Sequence, residues 1–197
     1  PRWREYVEYY NERFKEVESG TAAKGPLKWG PYEQLRGWFA RGLAFERDMV
    51  RLLRDDAQKP RLQRSFLGDF DKPRIETYVG VKKPASGLRF ADVLVIEQKP
   101  PAAQPPRVET VSFKSRDFSG MDLGSMQARM KADAREALAY YGETLDIVRP
   151  GLKLRVKVQR VRLIYEGGPL KPKDVDALEQ AVKEAQNQVP GDRKSVV

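Results

Sequence analysis

Apolar residues recur at helical spacing from the first positions onward. Trp3, Val7, Tyr10, Phe14 and Val17 step by fours and threes, and Gly20 supplies a C-terminal stop. Residues 20–30 (GTAAKGPLKWG) read as a loop. A second helix is expected from Pro31, a residue suited to a first helical turn, to Asp56. Its stripe runs through Leu35, Phe39, Gly42, Glu46, Met49 and Leu53, so a glutamate occupies a face that should be buried. Three strand-like runs follow at 75–81, 88–97 and 108–115. A KPASG turn (83–87) and a proline-rich turn (99–107) separate them; prolines cannot extend a ladder, and the short connections favour an antiparallel meander. A weaker run at 62–67 reads as an edge or loop element. Ser125 is the expected N-cap of a helix striped by Met126, Met130, Ala134, Ala137 and Tyr141. One long strand at 152–165 and a last helix at 173–188 complete the pattern. The order α-α-β-β-β-α-β-α predicts an α/β fold with a mixed sheet. It divides into a helical lead-in and loop (1–30), an α/β domain (31–189) and a tail (190–197).

Charge and composition narrow the chemistry. The chain has 197 residues, 37 Lys plus Arg against 28 Asp plus Glu, and a net charge of +9. It has no cysteine and no histidine. That excludes disulfides, zinc–cysteine sites, thiolate nucleophiles and histidine acid–base catalysis. Catalysis would have to run on carboxylates, Lys, Arg, Tyr, Ser or an oxygen-bound metal. No apolar stretch approaches the ~18 residues of a membrane span, so no membrane partner is expected. The chain starts at Pro1 without an initiator Met, which reads as a piece of a longer polypeptide.

Three residues stand out. Asp92 precedes the apolar run 93–96, which reads as a strand buried on both faces; an ionised aspartate there needs a cation, metal or donor, unless it merely caps a turn. Lys114 shares a strand face with Thr110 and Ser112, opposite Val111 and Phe113, and can meet an anion at the strand end or snorkel to solvent. Glu46 sits mid-stripe on its helix. Gln127 and Lys131, one turn apart on the following helix, are either site-facing or a solvated face. Arg149, Lys153, Arg155, Lys157, Arg160 and Arg162 contribute +6 with no acid between them. Lys153, Arg155 and Lys157 share one strand face and are the candidate phosphate contacts, again against a plain solvated face. No aromatic residue interleaves with that row, so base stacking along it is not indicated.

A helix glutamate, a strand aspartate, a lysine ending the next strand, then a helix and a further strand resemble the PD-(D/E)XK, or restriction-endonuclease-like, nuclease superfamily. The resemblance covers 37–165 and implies a metal-dependent nuclease acting on DNA. Asp92 and Glu46 would hold Mg²⁺ (or Mn²⁺), Lys114 would serve the attacking water and the phosphate, and Gln127 matches a helix glutamine found in some relatives. The tripeptide here is Ser112-Phe113-Lys114, with serine where the family has a carboxylate. Glu46 is the first substitute and Glu97 a distant second, while Glu109 has the wrong parity. Alternatives are a catalytically inert nucleic-acid- or protein-binding module on the same fold, or an RNase. The resemblance extends to C-terminal toxin domains of bacterial polymorphic toxins. It thus implies a secreted effector acting in the target-cell cytoplasm, or a cytoplasmic protein, with an immunity protein as partner.

Overall fold

The helical spacing at the start of the chain becomes α1 (Arg2–Glu18) and α2 (Trp29–Gln58) in the computed structural model, which describes residues 2–21, 29–83, 86–100, 105–187 and 194–196. Parts of the expected loop (22–28), of the two turns (84–85 and 101–104) and of the tail (188–193 and 197) lie outside the described residues. The chain forms two compact units, Pro1–Ala44 and Phe45–Val197, so the division falls within α2 and not at residue 30. In the first unit Arg13 is buried and pairs with Glu16 one turn on. Phe39, on the expected apolar stripe, is exposed.

The second unit is built on a mixed sheet: β1 (Pro73–Lys83), β2 (Ser86–Glu97), β3 (Val108–Lys114), β4 (Thr144–Arg149), β5 (Leu152–Lys157), β6 (Arg160–Tyr165) and the three-residue β7 (Lys194–Val196). Its strand order is β5-β4-β1-β2-β3-β6-β7. The expected antiparallel meander is β1-β2-β3, and β6 runs parallel to β3 after the crossover through α3 (Leu123–Tyr141). The helix α4 (Val175–Asn187) packs on α3.

Each sheet face carries its own core. On one, Phe45, Met49, Val50 and Leu53 of α2 cover Val93, Val95, Val111 and Ile164. On the other, Ala134 and Ala137 of α3 lie over Val79, Leu94, Ile96, Val108 and Leu163. Val93 through Ile96 are all buried, as a strand covered on both sides requires. Each such side chain contributes roughly 1.5–3 kcal/mol on burial.

Two expectations are corrected. The single strand expected at 152–165 is β5 and β6, broken at Val158 and Gln159, whose N–H groups donate to Glu143 and Val108 instead of continuing a ladder. β5 is half of a hairpin with β4, which the sequence reading left unassigned; Pro150-Gly151 makes the turn, with Gly151 at φ +76°. The N-cap of α3 is Asp122, whose carboxylate accepts the Ser125 N–H at 2.9 Å and also the Ser125 hydroxyl, so Ser125 is inside the helix. The run at 62–67, read as an edge or loop element, is a loop that follows the short 3₁₀ turn Arg61–Gln63.

Candidate active site

β1 and β2 both change phase at the same level of the sheet. Along β2, Val93 and Val95 face α2 whereas Leu94 and Ile96 face α3, yet Ala91 also faces α3. Strict alternation would put Ala91 with Val93, so the period slips at Asp92. Opposite it on β1, Ile75 faces α2 while Val79 and Val81 face α3, and the slip falls at Tyr78, whose φ is +51°. Thr77 pairs with Val93 and Val79 with Ala91 on either side of the break. β2 and β3 also stop pairing here. Their ladder ends at Val93 and Val111, and the Phe113 N–H donates to Asp92 Oδ2 at 2.9 Å in place of a strand carbonyl.

Asp92 therefore sits at a gap in the sheet with neighbours from both faces. On the α3 side its charge acts on Tyr141, whose hydroxyl donates to the Phe90 carbonyl at 2.9 Å. Burial, then the charges of Asp92 and Glu136, push the Tyr141 hydroxyl up. On the α2 side, the Glu46 carboxylate beside the Tyr78 hydroxyl, then burial, then the charges of Glu46 and Asp92 push that hydroxyl up to about 12. Glu46 Oε1 is buried and accepts no hydrogen bond among the described residues. A buried carboxylate oxygen without a protein donor is costly unless a water, ion or ligand meets it. Glu46 lines a cleft of about 300 Å³ with Arg47, Arg51, Arg54, Asp55, Thr77 and Tyr78.

Lys114 does not join this pair. By alternation it faces α3, because Phe113 packs edge-on against Phe45 of α2, and its Nζ lies 4.0 Å from Glu136 Oε2. Glu46 and Lys114 thus lie on opposite sheet faces, with Asp92 between them. Glu136 was not singled out from sequence. It lies one position before the Ala137 of the α3 stripe, and only the fold shows that it meets Lys114. Gln127 lies nine positions before Glu136, about two and a half turns, on the other side of α3. Ser112 is 6% exposed. By continuation of the β2–β3 register it stands opposite Asp92, where the resemblance calls for a carboxylate.

The two other acids weighed from sequence have structural partners. Glu97 accepts the Asp71 and Lys72 N–H groups, each at 2.7 Å, at the far end of β2. Glu109, fully buried, binds Arg162 Nε at 2.8 Å and Arg107 Nη2 at 2.8 Å. The basic row is also depleted. Arg149 pairs with Glu76, Arg155 with Asp146, Arg160 with Asp69, and Arg162 with Glu109. Lys153 and Lys157 are exposed on the edge strand and form no ion pair among the described residues. Arg47, Arg51 and Arg54 were missed. Their four- and three-residue spacing on α2 was legible, but the apolar stripe drew the reading to the opposite side.

Mg²⁺ keeps most of its waters and takes one or two protein carboxylates together with substrate phosphate. Glu46, with its donor-free oxygen, and Asp92, with one oxygen engaged by a single N–H, fit that demand. No group of three or more Asp or Glu side chains with metal-binding geometry occurs among the described residues. None of the described helices is long and apolar enough to cross a membrane. No family model matches the chain, and neither a curated protein nor a solved structure matches it.

Proposed function

We propose that the Phe45–Val197 unit is a metal-dependent nuclease of the restriction-endonuclease-like type, hydrolysing phosphodiester bonds in DNA. The observation that carries this reading is the pair Glu46 and Asp92, whose charges both act on Tyr78, one of them with a buried oxygen that no donor among the described residues satisfies. The succession α2, β1, β2, β3, α3, then β6 after the inserted β4–β5 hairpin, supports it, since the resemblance implies that order apart from the insertion.

In this mechanism Asp92 and Glu46 would hold Mg²⁺, which supplies a Lewis acid for the phosphate and a bound water of lowered pKa. The Phe113 N–H fixes the Asp92 carboxylate, and α2, packed through Phe45, Met49 and Leu53, fixes Glu46. Lys114 faces α3 and pairs loosely with Glu136, across the sheet from Glu46, and takes no part in holding that phosphate. The test is plasmid cleavage with Mg²⁺ or Mn²⁺. Asp92→Asn, which keeps an acceptor for the Phe113 N–H, and Glu46→Gln should each abolish cutting with little change in melting temperature, and EDTA should stop the parent protein. Undiminished cutting by either variant removes that residue from the site.

Ser112 favours a second reading, an inert nucleic-acid-binding module, because a buried hydroxyl stands where the resemblance requires a carboxylate. Absence of cutting with every divalent metal, alongside retained DNA binding, would select it.

A further inference from the structure

The outer end of the sheet holds an exposed aromatic and basic surface that begins at the Glu46 cleft and extends past it. Past the phase slip, Gly80 of β1 pairs with Phe90 of β2 on one side and with Val148 of β4 on the other, and Val148 pairs with Lys153 of β5. Residues directly opposite one another share a face, so Phe90, Gly80, Val148 and Lys153 form one line across four strands. That face is opposite Val79 and Val81, hence opposite α3. A Cβ at Gly80 would lie 3.7 Å from the Phe90 ring and 2.9 Å from the Val148 carbonyl, so the glycine leaves a shallow floor beside the ring. Phe90 is 60% exposed and Tyr78, two positions before Gly80, is 59% exposed. Two aromatic rings this open are unusual in a surface rimmed by charge, and large open apolar area marks a contact surface.

Tyr78 forms a wall of a cleft lined by Arg47, Arg51 and Arg54 of α2, all exposed, together with Glu46 and Asp55; Arg51 pairs with Asp48, which leaves Arg47 and Arg54 as its cations without an ion pair among the described residues. The three arginines follow one another at four and three residues, a single side of the helix roughly 10 Å long. Lys82 and Lys153 lie exposed at the other edge of the rings.

We infer that this face binds one strand of nucleic acid, with bases stacked on Phe90 and Tyr78 and phosphates at Arg47 and Arg54. Stacking on aromatic rings combined with a cationic track is how single strands are held without sequence readout. A duplex keeps its bases stacked inside and offers nothing to the rings. That this strand is also the one cut rests on the nuclease reading, since Tyr78 touches Glu46; the binding itself does not.

Fluorescence anisotropy with labelled dT15, rU15 and a blunt 15-bp duplex tests it, using the full chain in EDTA and again in Ca²⁺. The single strands should bind more tightly than the duplex, and the dT15 and rU15 arms show which sugar is preferred. Phe90→Ala should weaken dT15 roughly 5- to 150-fold, the range for losing one stacked base, while Phe90→Trp should restore it. Arg47→Gln with Arg54→Gln should reduce the slope of log affinity against log salt by about 1.4, two single-strand contacts. Phe90 is largely exposed, and an unchanged thermal melt certifies the fold of each variant. Equal affinity for duplex and single strand, or Phe90→Ala binding like the parent, overturns the proposal. So does absence of binding in both buffers, which would leave the face to an acidic protein partner. Because no cutting is required, a protein that binds dT15 but never cleaves would sink the nuclease reading and leave this one standing.

Discussion

The carboxylate of Asp56 accepts three backbone N–H groups, from Ser65 at 2.9 Å, Phe66 at 2.9 Å and Leu67 at 3.0 Å, and so ties the end of α2 to the loop that buries Leu67 and Phe70. Burial alone would raise its pKa; the three donors and Lys59 outweigh it and hold the carboxyl below the ordinary aspartate value. A depressed folded-state pKa gives stability that is complete above the unfolded value near 3.9 and lost as pH falls through the folded one. Asp56→Ala should therefore cost on the order of 3 kcal/mol at neutral pH, with buried amides left without acceptors. The gap between parent and variant in urea midpoint should narrow below about pH 4. A gap that stays constant to pH 2 would mean the ionised carboxylate is not what holds the loop. A second single-residue test concerns Ser112. With the site only 6% exposed, Ser112→Glu buries a longer charged chain. It should lower the melting temperature unless Mg²⁺ is added, and a Mg²⁺-dependent recovery would reveal a cation beside Asp92.

Among the elements, the meander, α2 and α3 were legible because long amphipathic or apolar runs decide them with little help from distant contacts. β4 was not read, although Leu145 and Ile147 alternate with polar residues and Pro150-Gly151 follows as a turn signal. Its apolar side is complete only once Val81 and Val156 stand beside Ile147 and Leu145. The same limit governs the candidate site. Asp92, Lys114 and Glu46 were found as residues out of place in apolar runs, but a sequence period cannot show where two strands slip together, so the separation of Glu46 from Lys114 across the sheet was invisible. Gly80 marks where the β4–β5 hairpin joins the meander. A Cβ there would meet the Val148 backbone oxygen at 2.9 Å, and backbone cannot move aside as a side chain can. Gly80→Ala should cost roughly 1–3 kcal/mol and loosen β4 from β1. Faster hydrogen exchange confined to β4 and β5 would register it, and native protection there would show that the strands absorb the methyl.

Over the whole molecule, the +9 charge does not lie where the sequence suggested. Of the six cations counted between Arg149 and Arg162, four are held by acids: Glu76, Asp146, Asp69 and Glu109. Lys153 and Lys157 remain, and their places differ. Lys153 ends the line through Val148 and Gly80 to Phe90, three strand spacings or about 14 Å away. Lys157 pairs with Thr144, beyond the stretch of β4 that joins β1, and lies about 13 Å further along β5. A strand stacked on Phe90 can bring a phosphate to the long side chain of Lys153 but has no reason to pass Lys157. Lys153→Gln should accordingly reduce the single-strand salt slope by about 0.7, and Lys157→Gln should leave it unchanged. Arg155, engaged by Asp146 at 2.6 Å, should behave as Lys157 does. Measuring the three slopes with dT15 in EDTA decides between a path across the sheet and a path along its edge. Equal losses for all three variants would restore the edge strand as the phosphate track and move the bound nucleic acid off the aromatic face.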